Sequence, residues 1–182
     1  MKIFYNKLID LPVFVNNKNI GNLKNIIIDH ESGLFLSVVI NKNLYVTTEN
    51  IKEFQKNKIV INKASSLKTI KQLSPRLRSV IKKNIKIKNN NVYTLSGENL
   101  GIVSDFEIDL IINKLSKIYV LGGNLIKKLI RGELIISRKQ VISIEKEKIT
   151  VEDIITPKRQ RNKILPREEK GLAGASFCIK TD

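Results

Sequence analysis

Apolar residues along the 182-residue chain fall in short runs of Ile, Val, Leu and Tyr, broken by glycine, asparagine and serine. Such a pattern predicts short strands separated by turns. It also occurs twice. Shifted by 80 positions, Val13, Val15, Ile20, Gly21, Leu23, Ile26, Ile28 and Asp29 fall on Tyr93, Leu95, Leu100, Gly101, Val103, Phe106, Ile108 and Asp109. The same shift places Val38, Val39 and Ile40 on Ile118, Tyr119 and Val120. Beyond that point the offset is 90, and residues 44–61 fall on 134–151 without a gap. The second copy therefore carries ten extra residues between about 121 and 133.

Gly21 and Gly101 interrupt apolar runs, where a glycine marks a bulge or a close backbone approach. A bulge is also what the pattern requires, because Val103 has the opposite parity to Phe106 and Ile108, and a strand's period of two shifts only by an inserted residue. Ser32 and Gly33 form a hairpin turn after Asp29, His30 and Glu31. In the insert 122–132, Asn124 caps and Gly132 stops a predicted two-turn helix, with Leu125 and Leu129, and Ile126 and Ile130, spaced by four. Ser74 followed by Pro75 starts another short helix, with Leu77, Val80 and Ile81 on one side and Arg76, Arg78, Lys82 and Lys83 on the other. After Thr156 and Pro157 periodicity ends. The chain divides into a unit at 1–62, a basic linker at 63–84, a second unit at 85–156 and a basic flexible tail at 157–182.

The net charge of +16 points to polyanions, but abundant Lys, Asn and Ile together are also what an AT-rich genome writes. Its distribution is more telling: residues 62–84 hold seven basic and no acidic residues, and 154–182 hold seven and three, while the two units are near neutral. Lys63, Lys68, Lys71, Arg76, Arg78, Lys82 and Lys83, with Lys158, Arg159, Arg161 and Lys163, are the candidate polyanion-binding residues, suited to RNA, the ribosome or an acidic membrane surface. Few aromatics lie among them, so contacts would be to phosphate rather than to bases. No apolar run approaches the length of a membrane span, and the first residues lack a secretion signal, so a cytoplasmic protein is expected.

Catalytic chemistry is not expected. The only histidine, His30, lies in a polar triplet read as a solvent-facing turn, since adjacent strand residues point to opposite faces. Asp105, Glu107 and Asp109 alternate and share one face, read as a solvated outer surface, with a partner or hard-cation site as the alternative. The single cysteine, Cys178, has neither a disulfide partner nor an activating neighbour. No cofactor or metal is expected, and Gly122 with Gly123 lacks the rest of a phosphate loop.

The order of strand, Leu-Gly-type turn, strand ending in Asp, hairpin and strand resembles the PRC-barrel family, named for the photosynthetic reaction centre H subunit and also found at the C-terminus of the ribosome maturation factor RimM. Ile20, Gly21, Asp29, Gly33 and residues 59–61 carry it in the first copy, and Leu100, Gly101, Asp105, Asp109 and residues 149–151 in the second. The second copy departs from it in Asn113, which stands where the hairpin glycine would be. The resemblance implies an all-β chain of two small β-barrels in tandem, joined by the linker helix, with the inserted helix in the second. It implies interiors filled by side chains, with no room for a substrate. It further implies a non-enzymatic adaptor that binds a protein partner, as in some archaeal cell-division adaptors. The alternative is an RNA- or ribosome-associated maturation factor, although nothing matches RimM's N-terminal domain.

Overall fold

The computed structural model describes residues 1–41, 43–122 and 133–153. In chain order the elements are β1 (Lys2–Phe4), α1 (Tyr5–Leu8), β2 (Pro12–Val15), β3 (Lys18–Ile28), β4 (Phe35–Ile40), β5 (Leu44–Thr47), β6 (Ile51–Phe54) and β7 (Ile59–Ile61). They continue with α2 (Pro75–Lys83), β8 (Asn91–Thr94), β9 (Asn99–Asp109), β10 (Lys114–Gly122), β11 (Leu134–Ser137), β12 (Val141–Ile144) and β13 (Lys148–Val151). Gly122 ends β10; the rest of the expected inserted helix, and the tail, lie outside the described residues.

Two curled sheets have the same strand order, β5-β4-β3-β2-β7-β6 and β11-β10-β9-β8-β13-β12. In each, one pair is parallel, β2 with β7 and β8 with β13. Two barrel-like units in tandem result. Among the described residues no ladder joins β5 to β6 or β11 to β12; the 3-10 turns Thr48–Asn50 and Arg138–Gln140 connect them instead.

The repeat extends to irregularities. Each unit has four bulges, with extra residues Ile20, Lys24, Leu36 and Lys52 in the first and Leu100, Ser104, Ser116 and Ile142 in the second. The first three are related by 80 positions and the last by 90. Ser104 is the inserted residue that the parity of Val103 and Phe106 demands. At the first bulge the N–H groups of Gly21 and Gly101 donate to Asn19 Oδ1 and Asn99 Oδ1, both at 2.8 Å. Both glycines have positive φ, 135° and 122°.

Val13, Leu23, Val38, Ile40, Val46 and Ile59 fill the first unit, and Val92, Leu100, Val103, Ile108, Ile118, Ile136 and Ile149 the second. The interiors are not separate, because these side chains belong to one contiguous cluster. The hairpins join the units. Phe35 N–H donates to Asn113 O, and Leu115 N–H donates to Gly33 O, both at 2.8 Å. Residues 113 and 115 are the counterparts of 33 and 35, so the contact is reciprocal and its approximate twofold axis passes by the bridge between Leu34 and Lys114. Asn113 replaces the hairpin glycine at φ 49°, a left-handed conformation that asparagine tolerates.

The same symmetry governs the segments that lead into each unit. β1 crosses to the second sheet and pairs with β9, Ile3 opposite Ile108. α2, which leads into the second unit, lies against β3 of the first. It forms as expected: Ser74 Oγ accepts from Leu77 N–H at 3.3 Å, Pro75 opens the helix and Asn84 ends it at φ 48°.

A Cβ on Gly21 would lie 2.5 Å from Asn41 Nδ2, whereas one on Gly97, also at positive φ, would meet nothing within 4 Å. Gly21→Ala is therefore expected to destabilise the protein by about 2–3 kcal/mol and Gly97→Ala by about 1 kcal/mol. Urea unfolding of the two variants checks the difference.

Candidate functional site

The hairpin after β3 carries the densest polar network. Asp29 is buried, and its Oδ2 accepts from Arg76 Nη2 of α2 at 2.7 Å while Oδ1 accepts from Glu31 N–H at 3.1 Å. Burial pushes the Asp29 carboxyl up, but hydrogen bonds from Arg76, Ser32 and the Glu31 N–H, with the Arg76 charge, outweigh it and hold the group below the usual carboxylate range. Lys83 Nζ lies 2.9 Å from Glu31 Oε1 and 3.2 Å from His30 Nε2. Its hydrogen bond and charge hold the Glu31 carboxyl below the ordinary range.

The triplet is therefore not the solvent-facing turn expected from its polarity. Only Glu31 faces water; the His30 side chain is 11% exposed because α2 lies across the hairpin. From the second unit, Arg138 Nη2 donates to Glu31 O at 2.8 Å and Nη1 to Val141 O at 2.9 Å. A Cβ on Gly33 would come within 2.8 Å of Arg138 Nε, so at this hairpin, unlike at Asn113, the inter-unit packing disfavours a side chain in addition to the positive φ of 73°. The network clamps the linker helix and both units together, and it supplies no nucleophile.

The acidic stripe on β9 is also not solvated. β1 and α1 cover it: Met1 N lies 3.8 Å from Asp109 Oδ1 and Lys2 Nζ 3.6 Å from Glu107 Oε1, while Asn6 N–H donates to Asp105 Oδ1 at 3.2 Å. Asp105 Oδ1 also accepts from Phe106 N–H at 2.8 Å, as Asn25 Oδ1 accepts from Ile26 N–H at 2.9 Å in the first unit. The carboxylates seat residues 1–6 of the same chain. Among the described residues no three His, Cys, Asp or Glu side chains are grouped to hold a metal ion.

The linker's basic residues do not form one patch. Arg76 and Lys83 are committed to the hairpin, and Arg78, Lys82 and Lys71 are exposed. Lys63 and Lys68 instead line an open hollow with Lys52, Asn50, Asn62 and Ser65, which no acidic residue enters among the described residues. Lys158, Arg159, Arg161 and Lys163 lie outside the described residues.

Two surfaces were not anticipated. On the second unit Leu121 stands directly opposite Ile102, and Ile135 opposite Tyr119, leaving Ile102, Leu121 and Ile135 about half exposed on one face. Their counterparts are Asn22, Asn41 and Tyr45, so comparing the copies for differences as well as matches exposes the stripe. On the first unit a groove of about 560 Å³ runs between β3 and residues 80–89, lined by Ile26, Ile28, Val39, Lys24, Lys86 and Lys88 among others.

Residues 1–68 match the family model of the PRC-barrel domain. The chain carries a PRC-barrel domain. The match passes the boundary expected at 62, and Lys68 explains it, since its N–H and C=O exchange hydrogen bonds of 2.9 and 2.8 Å with Tyr45 at the edge of β5. The second unit, beyond the matched residues, repeats the strand order of the PRC-barrel domain. No curated protein matches the chain. No helix among the described residues is long and apolar enough to cross a membrane.

Because the Asp29 carboxyl is held below its ordinary value, its contribution is present above about pH 4 and is lost as the pH falls through the lowered value. Asp29→Asn is expected to lose about 1–3 kcal/mol at neutral pH and to show a flatter decline of stability between about pH 4 and 2 than the parent. Denaturation at a series of pH values checks both.

Proposed function

We propose that the protein is a non-enzymatic adaptor whose paired barrel-like units bind a protein partner, in the cytoplasm, through the outer face of the second unit. The observation that carries this reading is the stripe of Ile102, Leu121 and Ile135. It occupies the positions where the first unit presents Asn22 and Asn41 to solvent, and clustered branched side chains on one face of a sheet mark a contact surface. The filled interior and the use of polar side chains as inter-unit clamps support binding over catalysis. Leu121→Lys is expected to leave stability within about 0.5 kcal/mol, since the side chain is about half exposed. It should abolish capture of a partner that survives nuclease treatment in pull-downs with the parent. Equal capture by parent and variant would remove the stripe from the account.

A second reading, an RNA- or ribosome-associated factor, is favoured by the convergence of Lys52, Lys63 and Lys68 on one hollow that no carboxylate lines among the described residues. It expects RNA binding whose logarithm falls linearly with that of salt concentration, with a slope reduced by about 2 when Lys63 and Lys68 are both replaced by Ala. Filter binding between low and moderate salt checks it.

A further inference from the structure

The twofold relation places two equivalent sheet edges in view, and only one is paired. On β9, β1 lies along the outer half of the strand, with Ile3 opposite Ile108, and Leu110 N–H donates to Met1 O at 2.8 Å. The counterparts of Ile108 and Leu110 are Ile28 and His30. Asp29 N–H donates inward to Leu34 O, so by the alternation of an antiparallel strand the N–H and C=O of Ile28 and the N–H of His30 face the opposite side, toward the groove. Among the described residues no backbone or side-chain group bonds them. α2 stands over this edge where β1 stands over the other, but a helix has no free ladder groups to offer it.

The side chains repeat the contrast. Phe4 of β1 rests on Tyr119, with ring centroids 5.1 Å apart. The counterparts of Phe4 and Tyr119 are Asn84 and Val39, neither aromatic, which line the groove together with Tyr5, Tyr45 and Phe106. The charges are reversed. Basic β1 meets Glu107 and Asp109, whereas the groove is lined by Lys24, Lys86, Lys88 and His30, and among the described residues no carboxylate enters it. Lys24 Nζ is drawn to Asp10 at 2.6 Å, and Lys88 bonds Asn6 and lies over the Tyr5 ring, so Lys86 is the lysine here that enters neither an ion pair nor a cation–aromatic contact among the described residues.

We propose that the edge of β3 at residues 26–30 is a strand-docking site for an extended acidic segment of a partner protein, bearing an aromatic residue that sits over Val39. The segment pairs through the ladder groups of Ile28 and His30, as β1 does with Ile108 and Leu110. Its carboxylates face Lys86 and Lys88. The proposal rests on the adaptor reading but on a different surface from the Leu121 stripe.

The test uses the full chain and a fluorescein-labelled octapeptide alternating glutamate with isoleucine and phenylalanine. Saturable binding is expected, with protection of the Ile28 and His30 amides from hydrogen exchange. Ile28→Pro, which removes the docking N–H while leaving the inward ladder to β4, is expected to weaken binding at least tenfold. Should that variant not fold, Lys86→Glu combined with Lys88→Glu should do the same from the surface, and a lysine-for-glutamate peptide should not bind. Lack of saturable binding, unchanged affinity in the foldable variants, or displacement by single-stranded RNA with both amides unprotected throughout would overturn the proposal. If the peptide fails while nuclease-resistant capture persists and remains sensitive to Leu121→Lys, only the strand-docking site falls and the adaptor reading stands.

Discussion

The exchange of two backbone hydrogen bonds between the hairpins, Phe35 to Asn113 and Leu115 to Gly33, sets the geometry on which the rest depends. Because each bond becomes the other when every residue is exchanged for its counterpart in the second unit, the units face one another about an axis near Leu34 and Lys114. That orientation carries each leading segment over to the opposite unit. It also brings Arg138 across Gly33, where a side chain on residue 33 would be excluded. With the hairpins held, β3 and β9 come close enough for Tyr5 to stack on Phe106, centroids 4.7 Å apart, while its hydroxyl donates to Asn25 Oδ1 at 3.3 Å. One continuous apolar cluster follows from this approach rather than from two independent collapses.

Within that symmetric frame the two units differ where they meet solvent and one another. The framework positions are equivalent down to four bulges, and the differences fall on the faces around them. Asp105 and Glu107 replace Asn25 and Ile27 under the basic N-terminal strand, while Ile102 and Leu121 replace Asn22 and Asn41 on the outer face. A duplicated scaffold of this kind offers two versions of each surface: an outer face that is polar in one unit and apolar in the other, and a sheet edge ringed by lysines in one unit and acidic under β1 in the other. Function is read from those versions rather than from the shared core, which both units need for the same reason.

Much of the fold was legible because it is written in local periodicity. The offsets of 80 and 90, the parity break before Phe106 and the glycine-marked bulges are all properties of neighbours in the chain. The helix at Pro75 was legible from its cap. What stayed hidden depends on which segments meet across nearly the whole length of the chain. Nothing in the triplet at Asp29 announces Arg76, nor does the alternation of Asp105, Glu107 and Asp109 announce Met1 and Lys2. A stripe of carboxylates on one strand face is solvated unless cations arrive from elsewhere, and strand periodicity does not say what arrives. Counting lysines in the linker likewise could not separate Arg76 and Lys83, engaged with the hairpin, from Lys63 and Lys68, open to solvent.

The placement of β1 also orders events during synthesis. Lys2, Ile3 and Phe4 leave the ribosome well before their ladder partners, Glu107, Ile108 and Asp109, which are made about a hundred residues later. At translation rates of about 5–20 residues per second, the N-terminal strand waits several seconds or more with its ladder groups unpaired. The first unit can assemble its own sheet in that interval, but the assembled pair is completed only when the later-made unit closes over the earlier-made strand.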